Sequence, residues 1–158
     1  MDVTALDPSP EAFAALEGRL AALGLSLPAE KRIQRSVEES GLTAQSFDLV
    51  ISNAVLHFAA NHDHFRAMLD ATWDLVAPAG VMFVRLTSSV GIEGLVRDLG
   101  NGRYGLPDGS ERYLVSESGL LAETERLGAV LLDPIKSTVV QSLRTMTTWV
   151  LSREVVVH

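Results

Sequence analysis

Two short apolar runs, Phe47-Asp48-Leu49-Val50-Ile51-Ser52 and Val81-Met82-Phe83-Val84-Arg85-Leu86, constrain the fold of this chain more than any other feature. Each has the length of a strand, and the first has the character of a strand buried on both faces of a parallel sheet. Between them, residues 63–76 place Phe65, Met68, Leu69, Trp73 and Val76 on one helical face, and Pro78-Ala79-Gly80 ends the helix. Parallel strands need such a crossover, and the helix must then pack on the sheet, which implies a layered α/β architecture.

The rest of the chain extends the pattern. Residues 3–6 form a strand candidate ending at Asp7. Ser9 and Pro10 suit a helix N-cap and first turn, and Phe13, Leu16, Leu20 and Leu23 line one face up to Gly24. Residues 33–37 predict a weaker second strand. From Ser88 to Glu111 glycines, Pro107 and few apolar residues predict a long irregular excursion with a short helix over residues 92–99. Residues 116–127 are helical by pattern, with Ser116 and Ser118 as caps. Residues 129–140 and 143–153 then predict an antiparallel strand pair. The expectation is one domain over residues 1–158: a three-layer α/β sandwich with an antiparallel C-terminal strand.

Composition narrows the function. Twenty Asp and Glu outweigh 13 Lys and Arg, a net charge of −7, which opposes binding to nucleic acid, where phosphate neutralisation supplies most of the affinity. Lys31-Arg32-Ile33-Gln34-Arg35 reads as a solvated strand face rather than a basic patch. The absence of cysteine excludes disulfides, thiolate zinc sites and a cysteine nucleophile. No apolar run approaches a membrane span, so no membrane partner is expected, and no signal-like segment opens the chain; the expected setting is the cytoplasm. His57, His62, His64 and Asp63 lack the converging geometry of a metal centre, and no metal is expected.

Residues 46–58, Ser-Phe-Asp-Leu-Val-Ile-Ser-Asn-Ala-Val-Leu-His-Phe, resemble the fourth strand of class I S-adenosylmethionine-dependent methyltransferases of the type 11/12 group. Leu75-Val76-Ala77-Pro78-Ala79-Gly80 resembles that family's L-x-P-G-G helix end, with alanine in place of the first glycine. Thr145-Met146-Thr147-Thr148-Trp149-Val150-Leu151 is similar to its antiparallel seventh strand. The resemblance runs in order along nearly the whole chain and implies a Rossmann-like sheet.

It also implies roles. Asp7 corresponds to the acid that accepts from both ribose hydroxyls of S-adenosylmethionine. Ser36, Val37 and Glu39 fall beside the adenine, with Ser36 where the family commonly has aspartate. Asn53 would line the crevice beyond the strand ends, near the methionine part of the cofactor and the substrate, unless it caps a short helix over residues 54–59. His57 is the candidate general base, against packing of its ring as the plainer role. Arg103, Tyr104 and Tyr113 are candidate substrate contacts, against an exposed loop with one packed aromatic.

The family's first strand and its glycine-rich G-x-G-x-G turn have no counterpart in this sequence. An N-terminally truncated sheet is therefore expected, either closed up so that residues 3–6 pair with residues 47–52 or completed by a second copy in a homodimer. The implied function is methyl transfer to a small molecule. The alternatives are a non-catalytic methyltransferase-like scaffold or dimerisation module, and a fragment of a longer enzyme.

Overall fold

The computed structural model describes residues 1–154, which divide into two compact units meeting at Leu42 and Thr43. The first unit holds strand β1 (Ala5–Leu6), helix α1 (Pro10–Ala22) and strand β2 (Arg32–Ile33), with β1 and β2 parallel. Helix α1 starts as its sequence requires. The Ser9 hydroxyl accepts the Ala12 N–H at 3.2 Å, Pro10 occupies the first turn, and the chain leaves through Gly24 at φ +69°. Only Phe13 of its apolar face is fully buried. Both strands are shorter than expected: Thr4 and Gln34 already lie outside the two-residue ladder. Among the basic residues here, Lys31 pairs with Asp2 at 2.8 Å and Arg32 with Glu17.

The second unit contains β3 (Phe47–Asn53), α2 (His62–Asp74), β4 (Val76–Ser88), β5 (Arg97–Gly100), β6 (Arg103–Gly105), β7 (Glu111–Tyr113), α3 (Glu117–Arg126), β8 (Ala129–Leu131), β9 (Lys136–Val140) and β10 (Arg144–Arg153). Its main sheet runs β3-β4-β10-β8, with β9 also on β10. Strand β4 is parallel to β3 and antiparallel to β10, so the expected antiparallel C-terminal strand is present. Pleating sends Met82, Val84, Leu86, Trp149 and Leu151 to one face, where all are buried. Both helices pack there. In α2, Phe65, Met68, Leu69 and Trp73 are buried; from α3 the Thr124 hydroxyl accepts the Trp149 indole N–H at 2.9 Å.

Three expectations are corrected. Strand β3 is not buried on both faces: it is the edge of its sheet, and Leu49 and Ile51 are 49% and 63% exposed. Nor do residues 3–6 pair with residues 47–52, since β1 and β3 belong to different sheets. The segment 88–111 is ordered rather than irregular. Single turns (Ile92 N–H to Ser89, Leu95 N–H to Ile92) stand where a helix was expected, because Gly91 at φ +76° and Gly94 give a helix no support. Strands β5, β6 and β7 follow as a three-stranded antiparallel sheet.

Strand β4 also starts earlier than Val81. Phe47 pairs with Val76 and Leu49 with Val81, so Pro78-Ala79-Gly80 is extruded as a bulge. Ala79 sits there at φ +60°, a left-handed conformation that costs an L-residue about 1–2 kcal/mol. An added Cβ on Gly80 would lie 2.8 Å from the Ala77 carbonyl oxygen. Ala79→Gly should therefore raise unfolding free energy by about 1 kcal/mol, whereas Gly80→Ala should lower it. Urea melts of the two variants check both signs.

Candidate active site at the carboxyl ends of the strands

In the first unit the β1 ladder ends at Leu6, and the Asp7 N–H continues the pairing to the Ile33 carbonyl at 3.2 Å. The Asp7 side chain turns back onto its own loop, one carboxylate oxygen accepting the Ser9 N–H at 2.8 Å. Its second oxygen makes no hydrogen bond among the described residues, which leaves an acceptor at a strand carboxyl end. After β2 the chain turns at Ser36 and Val37, whose carbonyls accept from the Glu39 and Ser40 N–H groups at 3.2 and 3.4 Å. Ser36 and Val37 are half-buried in that turn and Glu39 is exposed.

In the second unit Asn53, at the end of β3, pairs in register with Arg85, where the ladder between the two parallel strands ends. Ala54, at φ +58°, kinks the chain after β3, and its N–H bonds the Arg85 carbonyl at 2.8 Å. A 3₁₀ turn at Leu56–Phe58 follows, shorter than the helix expected over residues 54–59. Asn53 does not cap it: Val55 holds that position without a side-chain bond, and the Asn53 side chain is exposed.

His57 is 5% exposed, and its Nδ1 accepts the Thr87 N–H at 3.0 Å, with the Thr87 hydroxyl at the same distance. The neutral ring therefore carries its proton on Nε2. Burial first, then the positive charges of Arg112 and Arg85, push its pKa down from 6.5 to about 4. That is a rigid, neutral imidazole already committed at one nitrogen, and a weak proton acceptor.

Tyr113 is buried in the scaffold. Its ring stacks on Phe65 at 4.7 Å and its hydroxyl lies 2.7 Å from His62 Nδ1; burial pushes its pKa up. Gly102 makes room for it, since an added Cβ there would lie 2.4 Å from the Tyr113 ring. Arg103 donates to the Ala59 carbonyl at 3.1 Å and faces Glu111 at 3.8 Å, tying β6 to the 3₁₀ turn. Tyr104 pairs with Arg112 across β6 and β7. His64 Nδ1 accepts the Ala60 N–H at 3.0 Å, so His62 and His64 bond to different partners.

The residues that sequence reasoning overlooked are Phe58, Arg85, Thr87 and Arg112. Phe58 is 55% exposed between buried neighbours, with the Arg112 guanidinium carbon 4.8 Å from its ring centre and the His57 ring edge-on at 4.7 Å. Arg85 was visible as the charge interrupting an apolar strand, whereas Arg112 reaches Phe58 only through the folding of β7.

Parallel strands feeding an antiparallel strand between β4 and β8, with helices packed on the sheet, define a Rossmann-like α/β domain of the methyltransferase type. A "SAM-dependent methyltransferase" structure from Methanosarcina mazei superposes at TM-score 0.77, with 12% identity over 97% of this chain and 82% of that one. The 1,6-didemethyltoxoflavin-N1-methyltransferase of Burkholderia thailandensis, solved with 1,6-didemethyltoxoflavin and S-adenosylhomocysteine, gives 0.67 with 18% identity over 97% and 61%. The N-methyltransferase NodS of Bradyrhizobium japonicum in complex with S-adenosylhomocysteine gives 0.66 with 15% identity over 95% and 65%. This chain thus spans less than two thirds of the length of the latter two. No curated protein sequence matches it. The model of a methyltransferase domain family matches residues 1–82, more than half of the chain. The chain belongs to that methyltransferase domain family, with a class I fold.

The nucleoside end of S-adenosylmethionine fits the residues present, because the Asp7 carboxylate offers a free oxygen at a strand carboxyl end for a ribose hydroxyl. Among the described residues no glycine-rich turn joins a strand to a helix, so the amino-acid end finds no such cradle in them. No helix among them is long and apolar enough to cross a membrane.

His57 links the site to pH. Its folded pKa lies below the unfolded value, so its contribution to stability is complete above about pH 6.5 and is lost as pH falls towards 4. His57→Asn keeps an acceptor near Thr87 but no titrating group. The variant's urea midpoint should fall less steeply than the wild type's between pH 6.5 and 4.

Proposed function

We propose that this chain acts in S-adenosylmethionine-dependent methyl transfer to a small molecule. The observation that carries this reading is Asp7, in a methyltransferase domain, with one carboxylate oxygen fastened by the Ser9 N–H and the other left as an acceptor at the end of β1. When bound, S-adenosylmethionine supplies an electrophilic methyl group on a sulfonium. The protein's part is then chiefly orientation and exclusion of water. In this proposal the first unit holds the nucleoside, with Asp7 fixing the ribose and Ser36, Val37 and Glu39 forming the wall beside the adenine. Arg103 and Tyr113 act through the scaffold they stiffen, with Tyr104 nearer the acceptor. His57 holds the turn after β3 in place rather than abstracting a proton, given its buried ring and committed Nδ1. The bound 1,6-didemethyltoxoflavin of the Burkholderia enzyme supports a small acceptor by analogy.

Calorimetric titration with S-adenosylhomocysteine tests this. Micromolar binding by the wild type, weakened at least tenfold in Asp7→Ala, is the expected result. No binding at millimolar ligand by protein with an intact circular-dichroism spectrum would leave the non-catalytic scaffold as the better reading.

We further propose that a second copy pairs with the free edge of β3. Antiparallel pairing about a two-fold axis at Val50 sets Leu49 of one copy beside Ile51 of the other and Asp48 beside Ser52, so apolar residues meet and like charges do not. Light scattering should return a dimer for the wild type and a monomer for Ile51→Lys; a monomeric wild type would refute the pairing.

A further inference from the structure

The larger unit carries a patch that its own fold does not use. Most of its basic side chains are neutralised: Arg66 and Arg126 on Glu123, Arg126 also on Asp70, Lys136 on Asp133, Arg103 on Glu111 and Arg144 on Asp108. Arg85 and Arg112 have no carboxylate within ion-pair distance among the described residues. Arg97 and Arg153 form no ion pair among them either, and Asp108 feels Arg112 only at a distance; what sets Arg85 and Arg112 apart is that both lie near His57 at the strand ends. Nothing in packing requires it, since Arg85 is exposed and Arg112 half-buried.

The two share a place. Arg85 ends the β4 ladder with β3, beside Asn53. Arg112 lies over the exposed face of Phe58, donating one N–H to the Glu111 carbonyl at 2.7 Å and leaving its remaining donors available. Phe58 in turn abuts His57, and both guanidiniums are close enough to depress that imidazole's proton affinity. A flat guanidinium held against an aromatic ring loses little freedom on gripping an anion, and its planar fork matches a carboxylate. The neutral His57 between them adds no competing negative charge.

We propose that Arg85 and Arg112, the latter stacked on Phe58, bind a carboxylate on the methyl acceptor, making the substrate class a small organic acid. The assignment of this anion site to the acceptor rests on the methyl-transfer reading and on the rule that α/β sheets bind ligands beyond their strand carboxyl ends. The site itself does not depend on that reading.

Benzoate, with benzamide as its uncharged isostere, probes the site on the whole chain. The readout is the His57 imidazole resonance by NMR. Benzoate should shift that resonance saturably and raise the pH at which His57 titrates; benzamide should bind at least tenfold more weakly. Arg112→Gln and Arg85→Gln, each checked for an intact fold by circular dichroism, should each weaken benzoate at least fivefold, and the double variant should abolish the shift. Equal binding of benzoate and benzamide, or benzoate binding unchanged in the double variant, would overturn the proposal. Parallel titration of the wild type with S-adenosylhomocysteine separates the two readings. Benzoate binding without it keeps the anion site and removes the methyl-transfer role, whereas the reverse removes the anion site alone.

Discussion

Strand β4 is the element on which the rest of the larger unit depends. It has β3 in parallel register on one side and β10 in antiparallel register on the other, so from Val81 to Arg85 it is paired along both edges. Its alternate residues Met82, Val84 and Leu86 meet Trp149 and Leu151 of β10 and the apolar stripe of α2 in one dry layer. Because β4 is held on both sides, its carboxyl end is a fixed platform. Arg85 and Thr87, two residues apart, lie on the same face of it, Arg85 exposed beside Asn53 and Thr87 buried where it grips His57.

Charge is handled differently in the scaffold and at the site. Glu123, almost fully buried on α3, receives Arg66 at 2.8 Å from α2 and Arg126 at 2.5 Å, and Arg126 continues to Asp70 of α2 at 2.5 Å. Burial alone would raise the Glu123 pKa, but the hydrogen bonds and charges of the two arginines outweigh it and hold it low. The network clamps the helices to each other and closes on itself. At the strand ends the logic is reversed: guanidiniums are left open and the buried histidine is kept neutral.

Legibility followed the range of the forces involved. Helix α1 could be read from Ser9, Pro10 and Gly24 because capping acts within one turn of chain, and α3 from Ser116 for the same reason. Strands β3 and β4 could be read from apolar runs, though not the edge position of β3, since Phe47 to Ser52 has the same letters whether or not a neighbour lies beside it. The Ala79 bulge was hidden because bulging is decided by the ladder between two strands. Asp7 was legible by position, whereas Phe58 and Arg112, 54 residues apart in sequence, meet only once β7 has folded back towards the 3₁₀ turn.

By itself, then, the sequence determined the alternation of strands and helices, the acidic surface, the family and the carboxylate at the end of β1, because these rest on periodicity, composition and local hydrogen bonds. Tertiary structure alone decided that His57 is a buried neutral ring, that Tyr113 is a core residue and that Arg85 and Arg112 form no ion pair among the described residues. Those outcomes depend on burial and on Coulomb interactions between residues distant in the chain, and neither quantity exists until the sheet has formed.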